Sequence, residues 1–232
     1  MRTPVIGLDG DDTLWHSESH FVTTTERLVE LLGRWVDDGD AHDRLVEVER
    51  RNLALYGYGV KAFTLSMIET AVEVSHGEVT GAEVQQILGW SRELMDHPVE
   101  LLEGVVEAVE DLASRHMLLL VTKGDLLHQE SKVARSGLAE QFEGIHIVSE
   151  KDPATYARVL DAHGLEPTVF VMVGNSLRSD VLPVVELGGR GVHVPYGMTW
   201  ALEQVDDGDV PDGVVRISSL GELPAVLAME HG

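Results

Sequence analysis

Val5-Ile6-Gly7-Leu8-Asp9-Gly10-Asp11-Asp12-Thr13 decides how the rest of the chain is read. Four apolar residues in succession predict a short buried strand. The strand runs without a spacer into three carboxylates and a glycine, residue types that favour a turn. In open α/β sheets the ligand residues lie just beyond the carboxyl ends of the strands. The stretch therefore makes a demand on the remaining sequence: other strands should also end in chemically capable side chains.

They do. After Pro98 the pattern alternates between strand and helix. A helix over Val105 to Arg115 precedes a strand over Met117 to Val121, and a helix over Leu126 to Arg135 precedes a strand over Ile145 to Val148. Asp152-Pro153, a cap followed by proline at the first helical position, opens a helix to about Ala162. A strand over Val169 to Val173, a helix over Asp180 to Leu187 and a strand over Gly191 to Val194 follow. A short strand near Val215 to Ile217 and a helix from about Leu220 to Met229 complete the series. Such alternation predicts parallel strands joined by right-handed crossovers. The strand ends carry Asp9 and Asp11; Thr122, Lys123 and Gly124; Lys151; and Gly174, Asn175 and Asp180.

Residues from about 16 to 97 read differently. Leu28, Leu31, Leu32 and Trp35 recur at helical spacing after Thr23 to Thr25, which could cap. Further helices are expected over Asp43 to Leu55, from about Lys61 to Val74, and from Thr80 to before His97-Pro98. Thr80 and Glu83 have capping-box spacing.

Composition narrows the partners. The formal net charge of -23 argues against nucleic acid and anionic membrane, which both need a basic face. The longest apolar run, Met117 to Val121, is far too short to span a bilayer. No signal-peptide pattern is seen, so the expected location is cytoplasmic. With no cysteine, the chain has neither disulfides nor thiolate chemistry. Lysine occurs only at Lys61, Lys123, Lys132 and Lys151. A site for an anion must then reverse the local field with positioned donors and a cation.

The strand-end set suits phosphoryl chemistry. A carboxylate nucleophile splits phosphate transfer into two steps through an aspartyl-phosphate. A second acid protonates the leaving alkoxide and then activates water. A hydroxyl, a backbone amide and an ammonium can hold the phosphoryl oxygens. A hard cation on oxygen ligands, Mg2+, offsets the repulsion between carboxylates and phosphate.

Asp9-Gly10-Asp11-Asp12-Thr13 resembles the first motif of haloacid dehalogenase-like hydrolases, Asp-x-Asp-x-Thr after an apolar strand. Val121-Thr122-Lys123-Gly124 resembles the second, Lys151 before its helix the third, and Gly174-Asn175-Ser176-Leu177-Arg178-Ser179-Asp180 the fourth. The four occur in order across residues 9 to 180. The resemblance implies an α/β fold: a Rossmann-like parallel sheet core flanked by helices (residues 1–15 and 98–232), with an inserted all-helical cap domain over residues 16–97. It implies a phosphatase of small phosphorylated metabolites with Asp9 as nucleophile and Asp11 as general acid and base. Thr122, Lys123, Gly124 and Lys151 fall on the phosphate-binding side. Asp9, the Asp11 carbonyl and Asp180 are the expected Mg2+ ligands.

Two positions depart from the family pattern. Asn175 stands where aspartate is commonest, which makes it a weak ligand or a residue behind the ligands. Lys123 stands where asparagine is frequent. Within the same family, phosphonatase (through Lys61), phosphomutase and 2-haloacid dehalogenase activities stay open. A non-catalytic phospho-acceptor module is the rival outside it. Trp15, Tyr56, Tyr58, Lys61 and Phe63 are read first as packing residues, with lining of the substrate pocket as the alternative, and Tyr196 and Trp200 are undecided between the two. His16 and His20 have the spacing of a helical metal pair but no evident third ligand. The sequence does not speak to oligomeric state.

Overall fold

A computed structural model describes residues 4–205, 210–211 and 214–229. The chain divides into two compact units, Met1–His16 with Val99–Gly232, and Ser17–Pro98.

The first unit is a six-stranded parallel sheet ordered β3-β2-β1-β4-β5-β6. Its strands are β1 (Val5–Leu8), β2 (Leu118–Lys123), β3 (Gly144–Val148), β4 (Phe170–Gly174), β5 (Arg190–His193) and β6 (Val215–Arg216). Its helices are α5 (Val105–Ala113), α6 (Leu126–Ser136), α7 (Pro153–Ala162), α8 (Leu182–Glu186) and α9 (Leu223–Met229). The period-two alternation of strands sorts the side chains onto two faces. Ile6, Leu8, Leu118, Leu120, Val171 and Val173 share one core with residues of α5, α6 and α9. Val5, Leu119, Val121, Phe170 and Met172 share the other with Tyr156, Val159 and Leu160 of α7 and Val184 of α8. Both faces are covered, which is why the strands read as continuous apolar runs. β1 lies between β2 and β4, so the chain ends leaving these three strands are neighbours.

The second unit packs four helices, α1 (Glu18–Leu32), α2 (Asp38–Tyr56), α3 (Val60–Val74) and α4 (Gly81–Asp96). Leu28, Leu32, Leu45, Phe63, Met67, Ile87 and Trp90 form its core. Asp37 caps α2 by accepting from the Asp40 amide, and the Thr80–Glu83 capping box closes on both sides at α4. No helix among the described residues is long and apolar enough to cross a membrane.

Helix α2 starts at Asp38, ahead of the expected Asp43, because Asp37 caps it, and three further elements differ from the sequence expectation, each for a physical reason. Helix α1 begins at Glu18, ahead of Thr23. The Thr23 and Thr24 hydroxyls donate back to the carbonyls of Ser19 and His20, the bonds of threonines inside a helix. Strand β2 runs on through Thr122 and Lys123 because β3 offers Ile147 and Val148 as partners. The helix expected from Asp180 is instead a π-helical turn, Leu177–Val181, that leads into α8. Pro183 has no N–H to give the Ser179 carbonyl, and the Tyr156 hydroxyl donates to that carbonyl at 3.0 Å.

Gly7 faces the second core. A Cβ there would lie 2.4 Å from Phe170 Cζ and 2.9 Å from Met172 Sδ. Gly7→Ala is expected to destabilise the fold by about 1–3 kcal/mol through overpacking. Urea denaturation measures this, and an unchanged midpoint would show that Phe170 can withdraw without cost.

Candidate active site

The end of β1 is folded tightly on itself. The Gly10 carbonyl accepts from the amides of Thr13, Leu14 and Trp15, and Asp12 adopts a left-handed φ of 60°. The Trp15 ring lies against Gly10, where a Cβ would come within 2.6 Å of Cζ2. Only glycine allows this approach. The same loop aims Asp9 inward, and its carboxylate is buried.

Lys151, just before the Asp152 cap of α7, delivers its ammonium to that carboxylate. Nζ lies 2.5 Å from Asp9 Oδ1 and 2.6 Å from Asp180 Oδ1, and Lys151 is only 4% exposed. Asp180 is fully buried, and its Oδ2 accepts the Ser176 amide at 3.0 Å. The carboxylate fits because residue 174 is glycine: a Cβ at Gly174 would lie 2.2 Å from Asp180 Oδ2. Burial raises the Asp9 carboxyl above its usual range and the Asp180 charge raises it further, with Lys151 opposing both. Burial alone would lower Lys151, but the charges of Asp180 and Asp9 outweigh it and hold the ammonium well above its usual value.

Thr122 is buried in β2 beside this cluster. Its Oγ1 has no hydrogen-bond partner, and a Cβ at Gly10 would lie 3.3 Å from it. A buried hydroxyl without a partner is costly in a ligand-free protein, and here it marks a place for an acceptor. Asn175 is fixed through its backbone. Its amide donates to Thr13 Oγ1 at 3.0 Å, and its carbonyl accepts from His193 Nε2 at 3.0 Å. Thr13 Oγ1 in turn lies 3.5 Å from Asp9 Oδ2.

Asp11 is held by a different set of groups. Its Oδ1 accepts from Trp15 Nε1 at 2.6 Å and from Lys132 Nζ at 2.7 Å, and its Oδ2 from Gln129 Nε2 at 2.9 Å. Burial would raise its carboxyl, but the Lys132 charge and these hydrogen bonds outweigh burial and hold it below the usual range.

The structure thus gathers Asp9, Lys151 and Asp180 directly, with Thr122 and Asn175 adjacent. The donors of Lys123 and Gly124 have other partners. The Lys123 ammonium is engaged by Glu203 and Ser179, and the Gly124 amide donates to the Val148 carbonyl. The sequence reading missed Lys132, Gln129, Tyr156 and Glu203. Gln129 and Lys132 carry a signal in hindsight, a polar pair three apart on one face of the helix after the second motif.

The donor set fits a hard cation. The two buried carboxylates of Asp9 and Asp180 offer oxygen ligands and carry more negative charge than the one Lys151 ammonium offsets. Among the described residues no group of three or more His, Asp or Glu converges on one point. A small dication bound here would use one or two carboxylates and complete its shell with water or substrate, the habit of Mg2+.

Asp11 gives a pH test. Its folded pKa lies below the ordinary 3.8, so the stabilisation from its pairing is complete above that value and is lost as pH falls through the folded value. Lys132→Met should therefore cost about 1–3 kcal/mol at pH 7 by leaving a carboxylate unpaired, and progressively less below pH 4. Denaturation at several pH values measures the difference, and a pH-independent cost would mean that Lys132 acts through packing alone.

A haloacid dehalogenase-like hydrolase family model matches residues 3–188. The crystal structure of a haloacid dehalogenase-like family hydrolase from Xanthomonas campestris is 42% identical, covers 98% of this chain and 91% of its own, and superposes with a TM-score of 0.87. A 2-haloacid dehalogenase from Pseudomonas syringae pv. Tomato shares the fold at 21% identity, over 99% of this chain and 100% of its own, with a TM-score of 0.64. The glyceraldehyde 3-phosphate phosphatase of Pyrococcus furiosus is 29% identical over 122 residues, 50% of each chain. The chain thus spans about half the length of the curated relative it matches. With the family model covering four strand ends in order and the sheet placing them side by side, the chain belongs to the haloacid dehalogenase-like hydrolases.

Proposed function

We propose that this chain is a Mg2+-dependent phosphatase that hydrolyses a small phosphate monoester through an aspartyl-phosphate on Asp9. The observation that carries the reading is the buried Asp9 carboxylate, held by Lys151 and neighbouring the partnerless Thr122 hydroxyl. A nucleophile, an ammonium and an unsatisfied hydroxyl donor at neighbouring strand ends are what an entering phosphoryl group requires. The curated relative named above is a phosphatase of a small phosphorylated aldehyde, which supports the substrate class.

On this reading an Asp9 oxygen attacks phosphorus, and the bond from phosphorus to the leaving alkoxide breaks. Lys151 and Thr122 hold the phosphoryl oxygens. Asp11 gives the alkoxide a proton, then takes one from water. That water attacks phosphorus, releasing inorganic phosphate and restoring Asp9. Asp9, Asp180 and the Asp11 carbonyl would hold Mg2+, which would supply the positive charge that offsets repulsion between carboxylate and phosphate. The donors around Asp11 favour its ionised form, the form it takes after giving up its proton and from which it would act as base. Its acid role needs a proton and release from Lys132. The helical unit 17–98 acts in this reading as the cap that selects substrate.

The test is release of phosphate from an aryl phosphate and from a panel of phosphorylated metabolites, with and without Mg2+. Asp9→Asn should lower kcat by at least about a thousandfold while the chain stays folded. Chloride release from a 2-chloroacid without any phosphate release would replace this reading with dehalogenation.

The Mg2+ dependence separates the candidate ligands. Asp180→Ala should raise the half-saturating Mg2+ concentration by about 10–100-fold, and Asn175→Ala by only about threefold or less, below that scale. Asn175→Asp should lower it modestly by adding charge beside the ion. An Asn175→Ala defect equal to that of Asp180→Ala would make Asn175 a required ligand.

A further inference from the structure

Glu203 lies outside all four motifs, at the end of a 3-10 turn, Ala201–Glu203, between β5 and β6. Its side chain is 12% exposed. In a chain of net charge -23, a nearly buried carboxylate needs a reason to be there. Its partners supply one. Oε2 accepts from Ser176 Oγ at 2.5 Å and from Ser179 Oγ at 2.6 Å, and Oε1 is paired with the Lys123 ammonium. Lys123 also donates to Ser179 Oγ at 2.8 Å. Each hydroxyl is used in both senses, since Ser176 Oγ accepts from the Ser179 amide at 3.0 Å. Arg178 adds a bond to the Leu202 carbonyl at 3.1 Å, within the same turn.

These bonds converge on the segment that carries Asp180. The Ser176 amide donates to Asp180 Oδ2, and the Ser176 carbonyl accepts from the Asp180 amide at 2.9 Å. The segment is a π-helical turn, a rare conformation that occurs mostly as single turns at functional sites. On its other side Glu203 grips Lys123, which directly follows Thr122 in β2. One carboxylate thus ties the strand end bearing the phosphate-side hydroxyl to the turn bearing the buried aspartate.

We propose that Glu203 is a positioning residue that clamps the Ser176–Asp180 turn to the end of β2 and thereby fixes Asp180 for the cation. Its place next to the Mg2+ site rests on the proposed function; the clamp itself does not. Buried networks that are fully satisfied rigidify what they hold, and groups behind metal ligands set affinity through orientation. Lys123 and the two serines hold the Glu203 carboxyl below its usual range against the effect of burial, so the clamp is charged near neutral pH.

Hydrogen–deuterium exchange and Mg2+ binding by calorimetry, on the whole chain without substrate, test the proposal. In Glu203→Ala the Ser179 and Asp180 amides should exchange at least about tenfold faster, with the β1 and β4 amides unchanged. The Mg2+ dissociation constant should rise by about tenfold. Glu203→Gln keeps the shape and one acceptor oxygen, and should give a smaller change of the same sign; it also serves if the alanine variant does not fold. Unaltered exchange at residues 176–181 in a folded variant overturns the clamp. A wild-type chain that binds no Mg2+ and releases no phosphate overturns the functional reading instead, and the exchange result then still decides the clamp.

Discussion

One ammonium between two buried carboxylates organises this molecule. Lys151 reaches Asp9 and Asp180 from a third strand end, and all three side chains are shielded from water. Removing charges from water costs several kcal/mol each, and only close pairing offsets it. The cluster still has two acids against one base. Burial first and that imbalance second push Asp9 up, while the two carboxylates hold Lys151 ionised. A site with surplus buried negative charge and oxygen donors gains from a small dication. The acidity of the whole chain makes the local cationic contribution matter more.

Holding these groups together places strict demands on the backbone. Gly10 and Gly174 are required by close approach, since a Cβ at either would overlap Trp15 or Asp180. Pro183 interrupts the helical ladder and frees the Ser179 carbonyl for Tyr156. The π-turn before it carries Asp180 against β4, where Gly174 leaves room for its carboxylate. The site therefore depends on local irregularities that the surrounding sheet and α7 hold in place.

The sheet core was largely legible because strands buried on both faces are continuous apolar runs, and because turn and cap residues punctuate them. Val5–Leu8 and the Asp152-Pro153 helix start are examples. The motif residues were legible as strand-end chemistry. What escaped were pairings between residues far apart in sequence, such as Lys132 with Asp11 and Glu203 with Ser176. No local pattern encodes a partner 121 residues away, because the sheet register brings it there. Thr23 misled for a different reason: a threonine that bonds its own helix backbone carries the same letter as one that caps.

The two aspartates of the first motif illustrate how environment divides labour between identical side chains. Only Gly10 separates them, yet burial and Asp180 raise Asp9 while Lys132, Gln129 and Trp15 lower Asp11. Carboxylates driven apart in this way take different chemical roles. On the proposed reading, Asp9 needs added positive charge to remain an ionised nucleophile. Asp11 is ionised already and must give up Lys132 before it can carry a proton to a leaving group. A catalytic cycle that uses Asp11 first as acid and then as base would therefore begin and end with Asp11 protonated and the Lys132 contact broken, and would restore the contact in between, while Asp11 is ionised; this makes Lys132 part of the proton accounting although it need never touch phosphate.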